Sequence, residues 1–233
     1  MKVTALIVTF NRLDKLKKCI KSTLLLDFQN VVIVNNASTD STKEWLMSLD
    51  DDRLIVINES INTGGAGGFY AGSSYICKNI DTDWVFFYDD DAYPAGNMLE
   101  KFREVVSEDW GVYCSLVVDP QGMICKMNLP FIKIPHTLSE SFDYRKRPSR
   151  YIPEHESPVE VQTLSFVGAG VNKKVLENNL SSIHSGLFIY YDDVFFGFDL
   201  YQRGVKIRYS PELVFTHDVQ LSESIITPEW KVY

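Results

Sequence analysis

Three consecutive carboxylates, Asp89, Asp90 and Asp91, directly follow the apolar run Trp84-Val85-Phe86-Phe87-Tyr88. Such a run reads as a buried strand, and three like charges at its end repel one another unless a cation lies among them. Carboxylate oxygens are hard ligands. The implied ion is therefore Mg²⁺ or Mn²⁺, which commonly shares its coordination with substrate phosphates. A solvated turn after a strand is the plainer alternative, and the metal reading is preferred because the rest of the chain supplies what a metal-nucleotide site needs.

A second group is Asn62-Thr63-Gly64-Gly65-Ala66-Gly67-Gly68-Phe69, with four glycines in five residues at a strand-to-helix junction. Glycine permits close backbone approach and a helix start presents free N–H groups, which together suit a pyrophosphate or a sugar ring. The spacing fits neither the dinucleotide fingerprint nor a Walker loop, and a tight packing turn explains the glycines equally well. A third group is Asp192-Asp193, again after an aromatic run, Phe188-Ile189-Tyr190-Tyr191. A carboxylate among apolar side chains has a raised pKa, which suits a general base. The pair also fits a helix N-cap, and one residue can cap while the other faces a site. His217 follows a predicted strand; a lone histidine is more often structural than a ligand. His136, His155 and His184 have no comparable context, and no Gly-x-Ser-x-Gly elbow supports a hydrolase triad.

These groups need a scaffold, and the first hundred residues alternate strand and helix patterns. Strands are predicted at residues 2–10, 31–34, 54–57 and 84–88, with helices over 13–26, from Ser38 or Asp40 to about 49, and from the glycine cluster to 78. That alternation implies an α/β fold with a mostly parallel sheet covered on both faces. Ligands of such sheets bind beyond the carboxyl ends of the strands, so Thr9-Phe10-Asn11, residues 35–40, residues 62–68 and the three aspartates are expected on one rim. Further on, residues 112–118 and 123–127 read as a hairpin around Asp119-Pro120-Gln121-Gly122. Residues 129–158 read as a long loop, residues 159–167 as a strand leading through Gly168-Ala169-Gly170 into a helix, and 192–203 as a helix. Short strands are expected at 206–209 and 213–215.

At 233 residues, with 45% hydrophobic and 23% charged residues, the chain can bury a substantial core. A net charge of -8 argues against a nucleic-acid-binding surface, although Tyr144-Arg145-Lys146-Arg147-Pro148-Ser149-Arg150 is a local basic patch. The four cysteines lack paired metal-ligand spacing and read as reduced thiols of a cytosolic protein. The longest apolar stretches fall well short of the roughly 20 residues a membrane span needs, which leaves a peripheral membrane contact open.

Taken in order, Ile7-Val8-Thr9-Phe10-Asn11-Arg12, Val34-Asn35-Asn36-Ala37-Ser38-Thr39-Asp40, Asp89-Asp90-Asp91, Gly168-Ala169-Gly170 and Asp192-Asp193 resemble the signatures of family 2 glycosyltransferases with the GT-A fold. The segment from Asn62 to Phe69 resembles the galactofuranosyltransferase branch, which uses UDP-galactofuranose. The resemblance implies a Rossmann-like sheet with a nucleotide-sugar half at residues 1–107, an acceptor and catalytic-base half at 108–217 and a tail at 218–233. It implies that Thr9, Phe10, Asn11, Arg12, Asn36, Asn62, Gly64, Gly65, Ala66 and Gly67 border the donor, with Asp40 on the uracil edge. Asp89 and Asp91 match the metal and nucleotide motif, with His217 as third protein ligand of Mn²⁺ or Mg²⁺. Asp90 lies on the donor side in a mainly structural role. Asp193 matches the catalytic base. Gly168, Ala169, Gly170, Tyr191 and Asp192 would meet the acceptor.

The implied reaction is inverting transfer of galactofuranose from UDP-galactofuranose to a hydroxyl of a cell-surface or lipid-linked glycan, at the cytoplasmic face of the membrane. Other readings are a rhamnosyl- or hexosyltransferase using a dTDP- or UDP-sugar, a non-catalytic nucleotide-sugar-binding module, and a nucleotidyltransferase. Related sequences commonly continue beyond Trp230-Lys231-Val232-Tyr233, so a further C-terminal region meeting a membrane or a second copy of the chain is the expectation there.

Overall fold

The computed structural model describes residues 1–219; Trp230 to Tyr233, and with them the expectation for the C-terminus, lie outside the described residues. The chain opens with β1 (Val3–Thr9), α1 (Leu13–Leu24), β2 (Asn30–Asn35), α2 (Thr42–Met47), β3 (Leu54–Asn58), α3 (Gly64–Asn79) and β4 (Trp84–Asp89). It continues through β5 (Ala92–Pro94), α4 (Met98–Val105), β6 (Val112–Val118), α5 (Leu138–Lys146), β7 (Val159–Val161), β8 (Ala169–Asn172), α6 (Lys173–Asn178), α7 (Asp192–Gln202) and β9 (Ile207–His217). One mixed sheet runs in the order β3-β2-β1-β4-β8-β6-β9-β5, with β7 beside β9.

The first four strands are parallel, and β8 lies antiparallel between β4 and β6. Every residue of β1 is buried, as its uninterrupted apolar run requires of a strand covered on both faces. Ala5 and Ile7 face one core with Leu16, Cys19 and Ile20 of α1, while Leu6 and Val8 face the other with Phe69 and Ile76 of α3. Small residues let α3 approach the sheet: a Cβ at Gly68 would stand 2.5 Å from Val8 Cγ1, and one at Gly72 2.3 Å from Leu6 Cδ1. Each helical glycine costs about 1 kcal/mol in helix propensity, which this close packing offsets.

The chain winds from β1 outward to β3 and returns to the other side of β1 as β4. That reversal opens a crevice at the carboxyl ends of β1 and β4, where open α/β sheets bind ligands.

Several elements differ from the sequence expectations. The turn at Asp119 forms, with Oδ1 accepting from the N–H groups of Gln121 and Met123. The second strand of the hairpin is reduced to a single bridge between Val118 and Ile124, and the chain turns into a short 3₁₀ segment, Lys126–Asn128. The segment read as a loop contains α5, begun by Thr137 Oγ1 accepting from Glu140 N. The strand expected over residues 159–167 stops at Val161, because the chain then passes beneath α7, where a Cβ at Gly197 would meet Leu164 N at 2.5 Å. The two late strands are one, β9, with an irregularity where its pairing shifts opposite Ser115 and Leu116. Neither β5 nor α4 was foreseen.

Gly168-Ala169-Gly170 does not line a groove. Ala169 and Gly170 are buried in β8 between β4 and β6, and Cβ atoms at Gly168 and Gly170 would each come within 2.7 Å of a ring, Phe215 and Phe86 respectively. Close packing explains these glycines. Gly170→Ala should therefore destabilise the protein by about 1–3 kcal/mol in urea unfolding. Gly96→Ala, with nothing within 4 Å of an added Cβ, should stay within about 0.5 kcal/mol.

Candidate active site

The three aspartates at the end of β4 have different surroundings. Asp90 is 3% exposed; its Oδ2 accepts from Thr9 Oγ1 at 2.7 Å and from Phe10 N at 3.3 Å, and its Oδ1 lies 3.4 Å from Arg12 Nη1. Burial pushes its pKa up to about 6, with Thr9 and Arg12 pulling the other way. Asp91 receives Arg12 Nη1 on Oδ2 at 2.7 Å. Burial would raise the Asp91 carboxyl, but His217 and Arg12 outweigh it and hold the group below the ordinary carboxylate range. Asp89 is half-buried and drives the other way: burial, then the charges of Asp91, Asp90 and Asp192, push its pKa well up. The cation that the sequence required among these charges is in part Arg12, expected to border the donor, which pairs with Asp90 and Asp91.

His217 reaches this cluster through β5, whose Ala92 pairs with His217 across the antiparallel ladder. Asp218 N also donates to Asp91 O at 2.8 Å, and the Asp218 carboxylate is held by Lys15 and Lys18 of α1 at 2.8 Å each. His217 Nε2 stands 3.3 Å from Asp91 Oδ1, and among the described residues that buried oxygen makes no hydrogen bond. Two adjacent ligands of an octahedral ion at metal–ligand distances near 2.1 Å lie about 3 Å apart. Asp91 and His217 thus fit a divalent ion between them. Asp89 is not gathered with them: no three His, Cys, Asp or Glu side chains among the described residues converge as a metal-holding group.

The remaining rim residues hold the loops to one another. Asn11, in the left-handed region at φ 54°, accepts on Oδ1 from Thr39 N at 2.7 Å and Asp40 N at 3.3 Å. Asn36 is buried; its Nδ2 donates to Asn62 Oδ1 at 2.9 Å and Gly64 O at 2.8 Å, and its Oδ1 accepts from Thr63 N. Asp40 Oδ1 accepts from Thr42 N at 3.0 Å at the start of α2, and Thr42 holds its carboxyl below the usual range. Phe10 is exposed on the rim. The start of α3 is partly covered by the segment before α7. Ala66 N donates to Phe188 O at 3.2 Å, and a Cβ at Gly64, whose φ is 74°, would overlap that oxygen. A Cβ at Gly67 would strike Thr63, whereas Gly65 has nothing within 4 Å.

Asp192 and Asp193 begin α7 as its first two residues. The N-cap is Tyr191, in the left-handed conformation, so neither aspartate is the cap. Both favour the positive end of the helix dipole. Phe188, Tyr190 and Tyr191 all have positive φ and are exposed, a strained stretch of large side chains beside the acidic pair. Burial raises the Asp192 pKa. Burial and then the Asp192 charge push Asp193 up to about 6, opposed by the N–H groups of Val194 and Phe166 and the hydroxyl of Ser165. The Asp192 charge also contributes to the raised pKa of Asp89.

Two buried residues went unnoticed in the sequence. Asn128 Oδ1 lies 3.0 Å from His217 Nδ1, and Asn128 Nδ2 donates to Ser165 Oγ at 2.9 Å. Neither sits in a motif; only the turn chemistry at Asp119 to Gly122 hinted that the chain doubles back here.

The sheet is shared with solved glycosyltransferases. A structure of GalNAc-T7 with UDP, GalNAc and Mn²⁺ superposes with a TM-score of 0.69 at 15% identity, over 95% of this chain and 44% of that one. S. aureus TarS (residues 1–349) gives a TM-score of 0.64 at 17% identity over 94% and 60%. The mannosyltransferase PcManGT of Pyrobaculum calidifontis, with GDP-Man and Mn²⁺, gives 0.62 at 18% identity over 95% and 58%. Among curated proteins, the GalNAc(5)-diNAcBac-PP-undecaprenol beta-1,3-glucosyltransferase of Campylobacter jejuni is 27% identical over 131 residues, 54% of this chain and 41% of that protein. The chain spans less than two thirds of the length of each. The architecture is the GT-A fold, and since the model of glycosyl transferase family 2 matches residues 4–180, the chain belongs to that family.

Proposed function

We propose that the chain is an inverting glycosyltransferase that moves a hexosyl group from a nucleoside-diphosphate sugar to a hydroxyl of a glycan or lipid-linked glycan. The observation that carries this reading is the division of one crevice between two unlike ends. At one, Asp91 Oδ1 and His217 Nε2 face each other 3.3 Å apart; at the other, burial and the neighbouring Asp192 push the Asp193 carboxyl up to about 6. In this reading Asp193 takes the proton from the acceptor hydroxyl as that oxygen bonds to the anomeric carbon. The bond from that carbon to the diphosphate breaks on the opposite face, and the nucleoside diphosphate leaves. Asp91 and His217 would hold Mn²⁺ or Mg²⁺, which when bound supplies neutralising charge beside the departing diphosphate. Asp89 lies on the donor side, and Asp40, with one oxygen on α2, has its other oxygen for the base. Tyr191 and Asp192 serve the acceptor.

The donor reading changes with the packing of the glycines. Of the segment that resembles galactofuranosyltransferases, Gly64, Gly67 and Gly68 are required by Phe188, Thr63 and Val8, and only Gly65 is left for a sugar. The relatives are linked to other hexoses: a glucosyltransferase with a lipid-linked acceptor, a mannosyltransferase with GDP-Man, and TarS with UDP-GlcNAc. A UDP-hexopyranose is therefore the favoured donor, with UDP-galactofuranose second. Incubation with Mn²⁺, a lipid-linked glycan and each donor in turn should release UDP fastest from a UDP-hexopyranose. Faster release from UDP-galactofuranose reverses that order, and release of pyrophosphate instead of UDP marks a nucleotidyltransferase.

Asp193→Asn should lower kcat by about 10²–10⁴-fold while UDP binding, followed by calorimetry, changes little. The active form of a base is the deprotonated one. In the wild-type protein kcat/KM should accordingly rise about tenfold per pH unit up to about pH 6 and then level, and that acid limb should be missing from the residual activity of the variant. Full activity in Asp193→Asn removes the base assignment.

A further inference from the structure

Asn128 is 7% exposed and Ser165 8%, and Asn128 bridges Ser165 and His217. The direction of each hydrogen bond along this path follows from what the atoms can donate. Ser165 Oγ accepts from Val167 N at 3.3 Å, and the hydroxyl has a single proton to give. On its other side the hydroxyl oxygen meets Asn128, whose Nδ2 is the contacting atom at 2.9 Å, so the serine accepts there from the NH₂ group. The amide oxygen is thereby turned to His217, and at 3.0 Å from Nδ1 it accepts only if Nδ1 carries a hydrogen. A neutral imidazole protonated on Nδ1 has its lone pair on Nε2, the atom 3.3 Å from the Asp91 oxygen that is unpartnered among the described residues.

We propose that Asn128 is a positioning residue that holds His217 as the Nδ1–H tautomer with Nε2 bare toward Asp91, and that Ser165 orients Asn128 for this role. The proposal rests on the glycosyltransferase reading for what the bare pair is for. The orientation of the ring rests on the hydrogen bonds alone. A ring nitrogen that donates to a fixed acceptor holds the opposite nitrogen in place as a ligand, and loss of such a partner commonly lowers metal affinity 10–100-fold. No other buried side-chain acceptor is recorded at Nδ1 among the described residues, so a residue at position 128 that cannot accept frees the ring to rotate and to change tautomer.

The test uses the whole protein, ¹⁵N-labelled at histidine, with the His217 ring signals assigned by difference from His217→Gln. In metal-free wild-type protein near pH 8, where an ordinary imidazole is neutral, the ring nitrogen shifts should report the Nδ1–H tautomer. Mn²⁺ binding followed by electron paramagnetic resonance should weaken about 10–100-fold in Asn128→Leu, whose His217 should lose that signature. Asn128→Asp still accepts from Nδ1 and should keep both the tautomer and an affinity within about threefold of wild type. Ser165→Ala should fall between them. A wild-type ring in the Nε2–H form overturns the proposal, as does Asn128→Leu with unchanged tautomer and Mn²⁺ affinity. If Asn128→Leu fails to fold, equal loss in Asn128→Asp and Ser165→Ala has the same force. Absence of Mn²⁺ binding by the wild-type protein with the Nδ1–H form intact overturns instead the metal assignment beneath it, and with it the role given to Asn128.

Discussion

The buried carboxylate of Asp90 is the interaction on which the crevice depends. An isolated ionised carboxylate in a protein interior is strongly unfavourable, and here the charge is tolerated because a hydroxyl, a backbone N–H and a guanidinium converge on it. Those donors come from Thr9, Phe10 and Arg12, at the end of β1 and the start of α1. The carboxylate therefore ties the two parallel strands together where the chain order reverses. A sheet splayed at that point would lose the ligand crevice, and a sheet closed there by apolar side chains would have no polar groups to offer. Asp90 holds it open at a fixed width, and its two neighbours are left on either side with different partners.

The rest of the rim is organised in the same manner, by polar side chains bonding to neighbouring loops. Asn11 receives the backbone after β2, Asn36 receives the backbone before α3, and Asp218, beside His217, is clamped by two lysines of α1. Buried amides of this kind are costly when half-satisfied and rigid when complete. The loops that would contact a ligand are thus braced against each other before any ligand arrives, which reduces the ordering cost of binding. The aromatic stretch from Phe188 to Tyr191 is the exception. It is exposed and its backbone is strained at three positions, yet its Phe188 carbonyl partly covers the start of α3, so that the glycine segment and the acidic pair of α7 share a wall.

What could be read from the sequence follows from which forces leave a periodic trace. The buried parallel strands β1, β2 and β4 are continuous apolar runs, and α1 alternates lysines with apolar residues at helical spacing, so both were legible, as was the convergence of the rim. The helix α5 was not, because it buries no residue and hence has no apolar stripe. Its only signal is local, the Thr137-Leu138-Ser139-Glu140 capping box. The strand β5 is three residues long, too short for any pattern, although it delivers His217 to Asp91. Glycines misled for a related reason: at Gly64, Gly168 and Gly170 the missing side chain is demanded by Phe188, Phe215 and Phe86, which are remote in sequence from the residues they exclude. Asn128 is likewise visible only in three dimensions, since its partners lie 37 and 89 residues away.

The assignment of roles among the five acidic residues of the crevice cannot be made on pKa alone. Asp90 and Asp193 are both raised to about 6, mainly by burial, and either value would suit a base at neutral pH. Geometry separates them. Asp90 has both oxygens engaged by Thr9, Phe10 and Arg12, so a proton transferred to it would have to displace a structural bond. Among the described residues no cation pairs with Asp193, and the charge of Asp192 works against its ionisation, which makes it ready to accept a proton. Asp91 is the converse case: its Oδ2 pairs with Arg12 Nη1 at 2.7 Å and its carboxyl lies below the ordinary range, so it stays charged and is suited to a cation rather than to a proton. Two carboxylates of the same chemical type are thus driven apart in their titration by burial on one side and by the Arg12 guanidinium and His217 on the other, and it is that separation on which the proposed division between a base and a metal ligand rests.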